Sequence, residues 1–437
     1  VTSEQQPSPQ DGPDVGKPEP EPSRSALRRF AIDTRPLALP DFRRLWIGQS
    51  VSNVGFQVTA VAVPVEVYTL TRSSFWVGVL GFVTLVPLIV FGLWGGAVAD
   101  HVDRRKLLFW SSCVTWASTL ALLVQALLDV RNLALILVIV AVQSTGFAMS
   151  SPTRGAIIPR IVDGPLVPAA NTLNYTASTF AMFAGPLLAG LLLARYGYGA
   201  AYALDAVLFT VGLYAALRLP PIPPAGQASG TPGLRAVVEG LRYLATQPVL
   251  FMSFVVDIIA MAIAMPRALF PEVADTRFGG EGAVGWLFAA MALGAVLGGL
   301  SSGWIGRVRR QGVALVVAIV VWGLAVAAAG LAPALWLVVV LMAVGGAADL
   351  VSAVFRQSML QTYAPDEMRG RLQGVFIVVV AGGPRLGDLR AGATAAVAGV
   401  TASWVGGGIA CAVLVVLAAL AVPALLRYDA RKPADQQ

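Results

Sequence analysis

The residues with the most chemical potential are the ionisable ones set inside long apolar runs: Glu66, Asp257, Asp349, Arg385 and Asp388. An ionised side chain near the centre of a bilayer costs about 2.5–3.5 kcal/mol on insertion scales, so such residues face a partner, a cavity or a pathway. Arg385 and Asp388 stand three apart, share a helix face and partly neutralise one another. Just before them, Ala381-Gly382-Gly383-Pro384 predicts a break, because Pro384 offers no N–H to the carbonyl of Val380 and the glycines add freedom. An ion pair on a broken helix suits two roles, a cargo and proton site or a fixed pair that locks two helices. In the first, Asp388, with Glu66 or Asp257, takes up a proton on one side and releases it on the other. Glu66 either joins that pathway or snorkels to the interface, and Asp205 reads as interfacial.

Polar residues also recur at helical spacing, with Gln49, Asn53 and Gln57 in one segment and Asn171, Asn174, Tyr175 and Ser178 in another. A polar stripe in an apolar helix lines a cavity or joins helices by hydrogen bonds. Phe147, Phe180 and Phe183 could wall such a cavity or pack in a core. Other chemistries lack their parts. With a single histidine, His101, and with Cys113 and Cys411 inside apolar runs, no metal centre, disulfide framework or histidine triad is indicated. No GxxxxGK[ST] loop is present to drive a pump with ATP. The chain is therefore not expected to be an enzyme or to use a cofactor.

The elements that must carry these residues follow from composition. Of 437 residues, 57% are hydrophobic and 13% charged, and mean hydropathy is +0.73, against about 45–50% and 25% in soluble domains. A crossing takes about 20 apolar residues, and unbroken runs such as LALILVIVAV exclude the alternation of a transmembrane barrel. The expectation is an all-α membrane protein with about twelve spans, six on either side of a polar stretch at 220–248. That stretch opens PPIPPAGQASGTPG and continues as an amphipathic segment, LRAVVEGLRYLATQ. The predicted units are a disordered tail at 1–42, bundles at 43–219 and 249–427, the 220–248 linker and a tail at 428–437.

The net charge of +7 is carried by loops and tails, which argues for topology and against nucleic acid. Alternate loops hold Arg104, Arg105 and Lys106, then Arg154 and Arg160, then Arg307, Arg309 and Arg310, whereas the opposite loops hold only Arg72, Arg131, Arg195, Arg267 and Arg277. By the positive-inside rule both termini are cytoplasmic.

Two motifs carry a resemblance. The segment from Gly95 to Lys106, GGAVADHVDRRK, resembles motif A (GxxxDRxGRR) of the major facilitator superfamily, with His101 and Asp103 departing from the pattern. Its Gly96 allows close helix approach, while Asp100 with Arg104 and Arg105 makes a charged conformational latch. The counterpart in the second half, from Gly303 to Arg310, lacks the acid. The segment AMFAGPLLAG, with Gly185, Pro186 and Gly190, resembles motif C of facilitators that export by antiport, whereas the arginine of motif B is missing from the fourth span. Further stretches, DFRRLWIGQSVSNVGFQVTAVAVPVEVYTL, RALFPEVADTRFGG, GWLFAAMALGAVLGGLSSG and SAVFRQSMLQTYAPDEMRGRLQGV, are similar to the enterobactin (siderophore) exporter family and related drug efflux permeases, over about residues 40 to 425.

The resemblance implies two six-helix bundles rocking about a midplane site in a bacterial inner membrane. It implies a monomer that exchanges protons for a siderophore or, alternatively, an amphipathic drug. The candidate cargo and proton residues, read from charge within apolar runs, are Glu66, Asp257, Arg385 and Asp388, with Gln49, Asn53, Gln57 and Asn174, read from helical spacing, as polar lining. Asp366, Glu367, Arg369 and Arg371 could mirror the latch in the second half, and Asp349 could pair with an arginine of that segment.

Overall fold

A computed structural model describes residues 33–99, 102–223, 234–363 and 365–429. Every regular element among them is helical: α1 (Pro40–Thr71), α2 (Ser74–Ala99), α3 (Arg104–Leu127), α4 (Leu133–Ile161), α5 (Val167–Leu217), α6 (Leu234–Thr246), α7 (Pro248–Ala264), α8 (Phe270–Arg277), α9 (Glu281–Leu300), α10 (Gln311–Leu331), α11 (Leu335–Tyr363), α12 (Asp366–Ala398), α13 (Val400–Ala421) and the short α14 (Pro423–Arg427). Among the described residues ten helical segments are long and apolar enough to cross a membrane. In lipid a helix satisfies its own backbone, which explains why every long apolar segment described is helical. The amphipathic segment expected after the linker is α6.

Two of the breaks have backbone causes. α5 is 51 residues long, about 75 Å at helical rise, and it reverses at Gly197, whose φ of 73° suits only a residue without a Cβ. Gly399, with φ 84°, makes the same kind of corner between α12 and α13. The break predicted at 381–384 does not occur: α12 runs on through Pro384. Its glycines serve packing instead, since a Cβ on Gly383 would lie 2.9 Å from that of Met261, and one on Gly387 would strike the Met261 carbonyl. The interruption falls on the facing element, where α7 ends at Ala264 and a 3-10 turn, Arg267–Leu269, precedes α8.

Helices α1 to α5 pack on one another, α7 and α9 to α13 do the same, and the two groups meet mainly through α2 against α12 and α5 against α9. Those contacts gather at the end opposite the termini. A Cβ on Gly190 would lie 3.0 Å from the Cα of Gly285, and one on Gly78 would lie 3.0 Å from the Cα of Leu389. Small residues permit this approach. Polar links cross at the same end: Arg72 Nη1 meets Asp275 Oδ2 at 2.7 Å, Ser74 donates to Glu272, and Tyr198 Oη donates to Glu281 at 3.3 Å.

Candidate functional site

On the terminus side of that closure lies a cavity of about 240 Å³ between the two helix groups. Phe56, Gln57, Thr59, Val77, Gly81, Gln143 and Phe147 line it from the first group, and Arg267, Phe288, Arg385 and Asp388 from the second. Phe56 and Phe147 stack with ring centroids 4.8 Å apart and planes 8° from parallel. Arg385 donates from Nη1 to the Ala381 carbonyl at 2.7 Å, while Asp388 Oδ2 pairs with Arg267 Nη2 at 3.4 Å. Asp388 Oδ1 and Arg267 Nε are buried with no partner. The expected partner of Asp388 was Arg385. The structure supplies Arg267, which sequence reading placed in a loop, because the break after Ala264 turns it inward. Two arginines around one carboxylate leave this wall with a net positive charge, beside aromatic faces.

The other proposed site residues are distributed elsewhere. Of the polar stripe only Gln57 reaches the cavity. Gln49, Asn53 and Asn174 meet in a separate crevice of about 10 Å³ between α1 and α5. Phe147 is a wall residue, whereas Phe180 does not line this cavity and is 63% exposed.

Glu66 does not snorkel. It is buried, accepting from Gln125 Nε2 at 2.7 Å and from Tyr202 Oη at 2.5 Å. It faces a different cavity of about 320 Å³, walled also by Thr69, Asp129, Arg131 and Tyr198. Asp205, expected at the interface, is 0% exposed: the turn at Gly197 sends the second half of α5 back between α1 and α3. Asp257 also stands apart from the central cavity. It pairs with Arg356, whose Nη2 lies 3.9 Å from Asp349 Oδ1. Asp349 and Arg356 share α11, and the side chains of Arg369 and Arg371, the arginines of the expected latch, lie outside the described residues. The residue types gave no signal for choosing Arg356 for Asp257, Arg267 for Asp388, or Thr59 and Thr119 for Asp205, because these partners lie on elements distant in sequence.

At the terminus end, Asp100 lies outside the described residues, and of Gly96 only its place in α2 is described. The side chains of Asp366, Glu367, Arg369 and Arg371 are likewise outside them. Arg104 Nη1 donates to the Ala156 carbonyl of α4 at 3.1 Å, and Arg105 Nη2 to the Leu217 carbonyl of α5 at 2.7 Å. Asp103, where the motif has glycine, caps α3 by accepting from the Arg105 N–H at 2.9 Å. In the second half, Arg309 finds its acid in Asp429, 3.5 Å away.

Comparison with known proteins places this geometry. The model of the transmembrane secretion effector family matches residues 32–436. The chain is 28% identical over 395 residues to the enterobactin exporter EntS of Shigella boydii serotype 18, covering 90% of this chain and 94% of that one, and equally so to EntS of Escherichia coli O139:H28. Among solved structures, the nucleoside transporter NupG aligns with a TM-score of 0.70 at 15% identity, covering 89% of this chain and 100% of that one. A bacterial homologue of the iron transporter ferroportin, in an inward-facing state, aligns at 0.67 and 14% identity, covering 92% and 100%.

Proposed function

Because the chain belongs to the transmembrane secretion effector family of the major facilitator superfamily, we propose that this multi-pass membrane protein exports a catecholate siderophore from the cytoplasm in exchange for protons. In this reading the ten apolar segments become twelve spans. α5 crosses twice about Gly197, and α12, whose charges set it apart from the others, supplies the remaining crossing. The bundles comprise residues 43–219 and 249–427, the linker and both tails are cytoplasmic, and the membrane is the inner membrane of a bacterium. Closure at the end opposite the termini then corresponds to a conformation closed to the outside.

The observation that carries the substrate reading is the pair Arg267 and Arg385 beside the stacked Phe56 and Phe147. Guanidinium groups recognise anionic or catechol oxygens by charge-assisted hydrogen bonds, and the aromatic faces suit catechol rings. Drug-sized ligands occupy about 300–1,000 Å³, so 240 Å³ accepts one limb of such a cargo in this conformation. A cationic drug would need an unpaired acid here, and against that reading Asp388 is paired with Arg267, while Glu66 and Asp257 lie outside the cavity.

The deciding assay is a deletion strain grown under iron limitation, with siderophore retained in cells measured alongside sensitivity to an antibiotic panel. Retention with unchanged sensitivity is expected. Unchanged siderophore release with new drug sensitivity would replace this reading with multidrug efflux. In proteoliposomes, Arg385→Gln should weaken enterobactin transport about tenfold or more, the value of a charge-assisted hydrogen bond.

A further inference from the structure

A second set of ionisable groups is buried wholly within the first helix group. Asp205 Oδ2 accepts from Thr59 Oγ1 of α1 at 2.6 Å and from Thr119 Oγ1 of α3 at 3.1 Å, while its buried Oδ1 has no partner. Gly55 of α1 sits so close that a Cβ there would lie 2.6 Å from Oδ1. From α4, Gln143 Nε2 reaches Thr119 Oγ1 at 3.1 Å. On α5 itself, Tyr202 stands one turn before Asp205 and donates to Glu66. Among the described residues no arginine, lysine or histidine forms an ion pair with Asp205 or Glu66. A carboxylate charge held by two neutral hydroxyls at 0% exposure, with one oxygen orphaned, is an expensive arrangement. A carboxylic acid in the same place carries no charge to bury.

Each carboxyl has its own route to open space. Thr59 and Gln143 both line the central cavity, so Asp205 is one side chain away from it. Glu66 lines the 320 Å³ cavity toward the end opposite the termini. Between Tyr202 and Asp205, which share a helix face, no hydrogen bond is made. The polar line is therefore continuous on either side and interrupted once, as coupling requires, since an unbroken line would leak protons without moving cargo.

Building on the export reading, we propose that Asp205 is the proton-binding site that couples export to the proton gradient, loaded from Glu66 through Tyr202 and discharged toward the central cavity past Thr59, Thr119 and Gln143. In the loading step, which requires a conformation that brings Tyr202 Oη within hydrogen-bond distance of the Asp205 carboxylate, the acid proton of Glu66 passes to Tyr202 Oη as the phenolic proton passes to Asp205. Glu66 is left ionised, Asp205 protonated and Tyr202 unchanged.

The test uses the full-length protein and Asp205→Asn, an isosteric change that cannot exchange a proton. In proteoliposomes with enterobactin as cargo, a proton gradient equivalent to 100 mV sustains an accumulation ratio of about fiftyfold for one proton. Asp205→Asn should bring that ratio to one while enterobactin counterflow, which needs no net proton movement, continues. Infrared difference spectra of the purified protein across a pH titration should show a carboxylic acid C=O band that Asp205→Asn removes. Accumulation by Asp205→Asn at the unsubstituted ratio overturns the proposal, as does dependence on a sodium gradient in place of the proton gradient. Should Asp205→Asn lose counterflow too, Thr119→Val decides: it should slow proton-driven uptake at least tenfold, and an unchanged rate overturns the assignment. If the unsubstituted protein concentrates no enterobactin, the substrate reading fails separately, and the infrared band alone then judges Asp205. Its loss in Asp205→Asn upholds the site, and its persistence refutes it.

Discussion

Gly190→Ala tests whether the α5–α9 crossing holds the closed end shut. A methyl group at Gly190 would lie 3.0 Å from both the Cα and the N of Gly285 and 3.3 Å from the Gly282 carbonyl oxygen. Every one of these is a backbone atom that cannot rotate away. Carbon atoms prefer about 3.5–4.0 Å, so the helices must part by about 0.5–1 Å, and overpacking of this kind costs about 1–3 kcal/mol. The two helices belong to different groups, so parting them relieves the strain. The cost then falls on the closed conformation alone and shifts its population by about 5- to 150-fold. The assay is a spin–spin distance measurement in lipid nanodiscs, with labels at the exposed positions Arg131 and Ala402, Cys113 and Cys411 being replaced by serine. Gly190→Ala and Gly285→Ala should both add a longer distance. Gly282→Ala, whose Cβ would meet only Ala194 at 4.0 Å, should not. Gly185→Ala would press on Gln57 within the first group, lowering thermal stability without lengthening the distance. A distribution in Gly190→Ala that matches Gly282→Ala would refute the reasoning.

Two further outcomes are expected. Arg356→Met leaves Asp257 and Asp349 without their buried partner and should cost about 3–5 kcal/mol, read as a lowered melting temperature in detergent that Asp257→Asn partly restores; an unchanged melt would show the cluster to be inert. Arg72→Ala removes a link whose side chains are 64% and 46% exposed, so it should open the outer end by less than about fivefold. That difference should vanish at 1 M salt, where the screening length is about 3 Å, and an effect that survives high salt would contradict the exposed ion-pair description.

Much of the architecture was legible because lipid imposes simple rules. Long apolar runs must be helices, and the amphipathic segment α6 appears where hydrophobic spacing put it. The broken helix was misplaced because Gly382, Gly383 and Pro384 satisfy the same description whether a helix breaks or a neighbour presses against it, and here Met261 presses. Arg267 was misread for the complementary reason: charge near a span end looks like topology until the backbone turns it inward.

Taken alone, the chain's own order of residues determined which segments are long apolar helices and which of them carry charge within an apolar run, as at Glu66, Asp257 and Asp388, because both follow from hydropathy and spacing along a single helix. Only the tertiary structure decided who meets whom: Asp388 with Arg267, Asp257 with Arg356, and Asp205 with Thr59 and Thr119. Pairing across helices depends on rotation and depth set by packing among many side chains at once, and nothing in the local spacing of a helix encodes the face its neighbour will present.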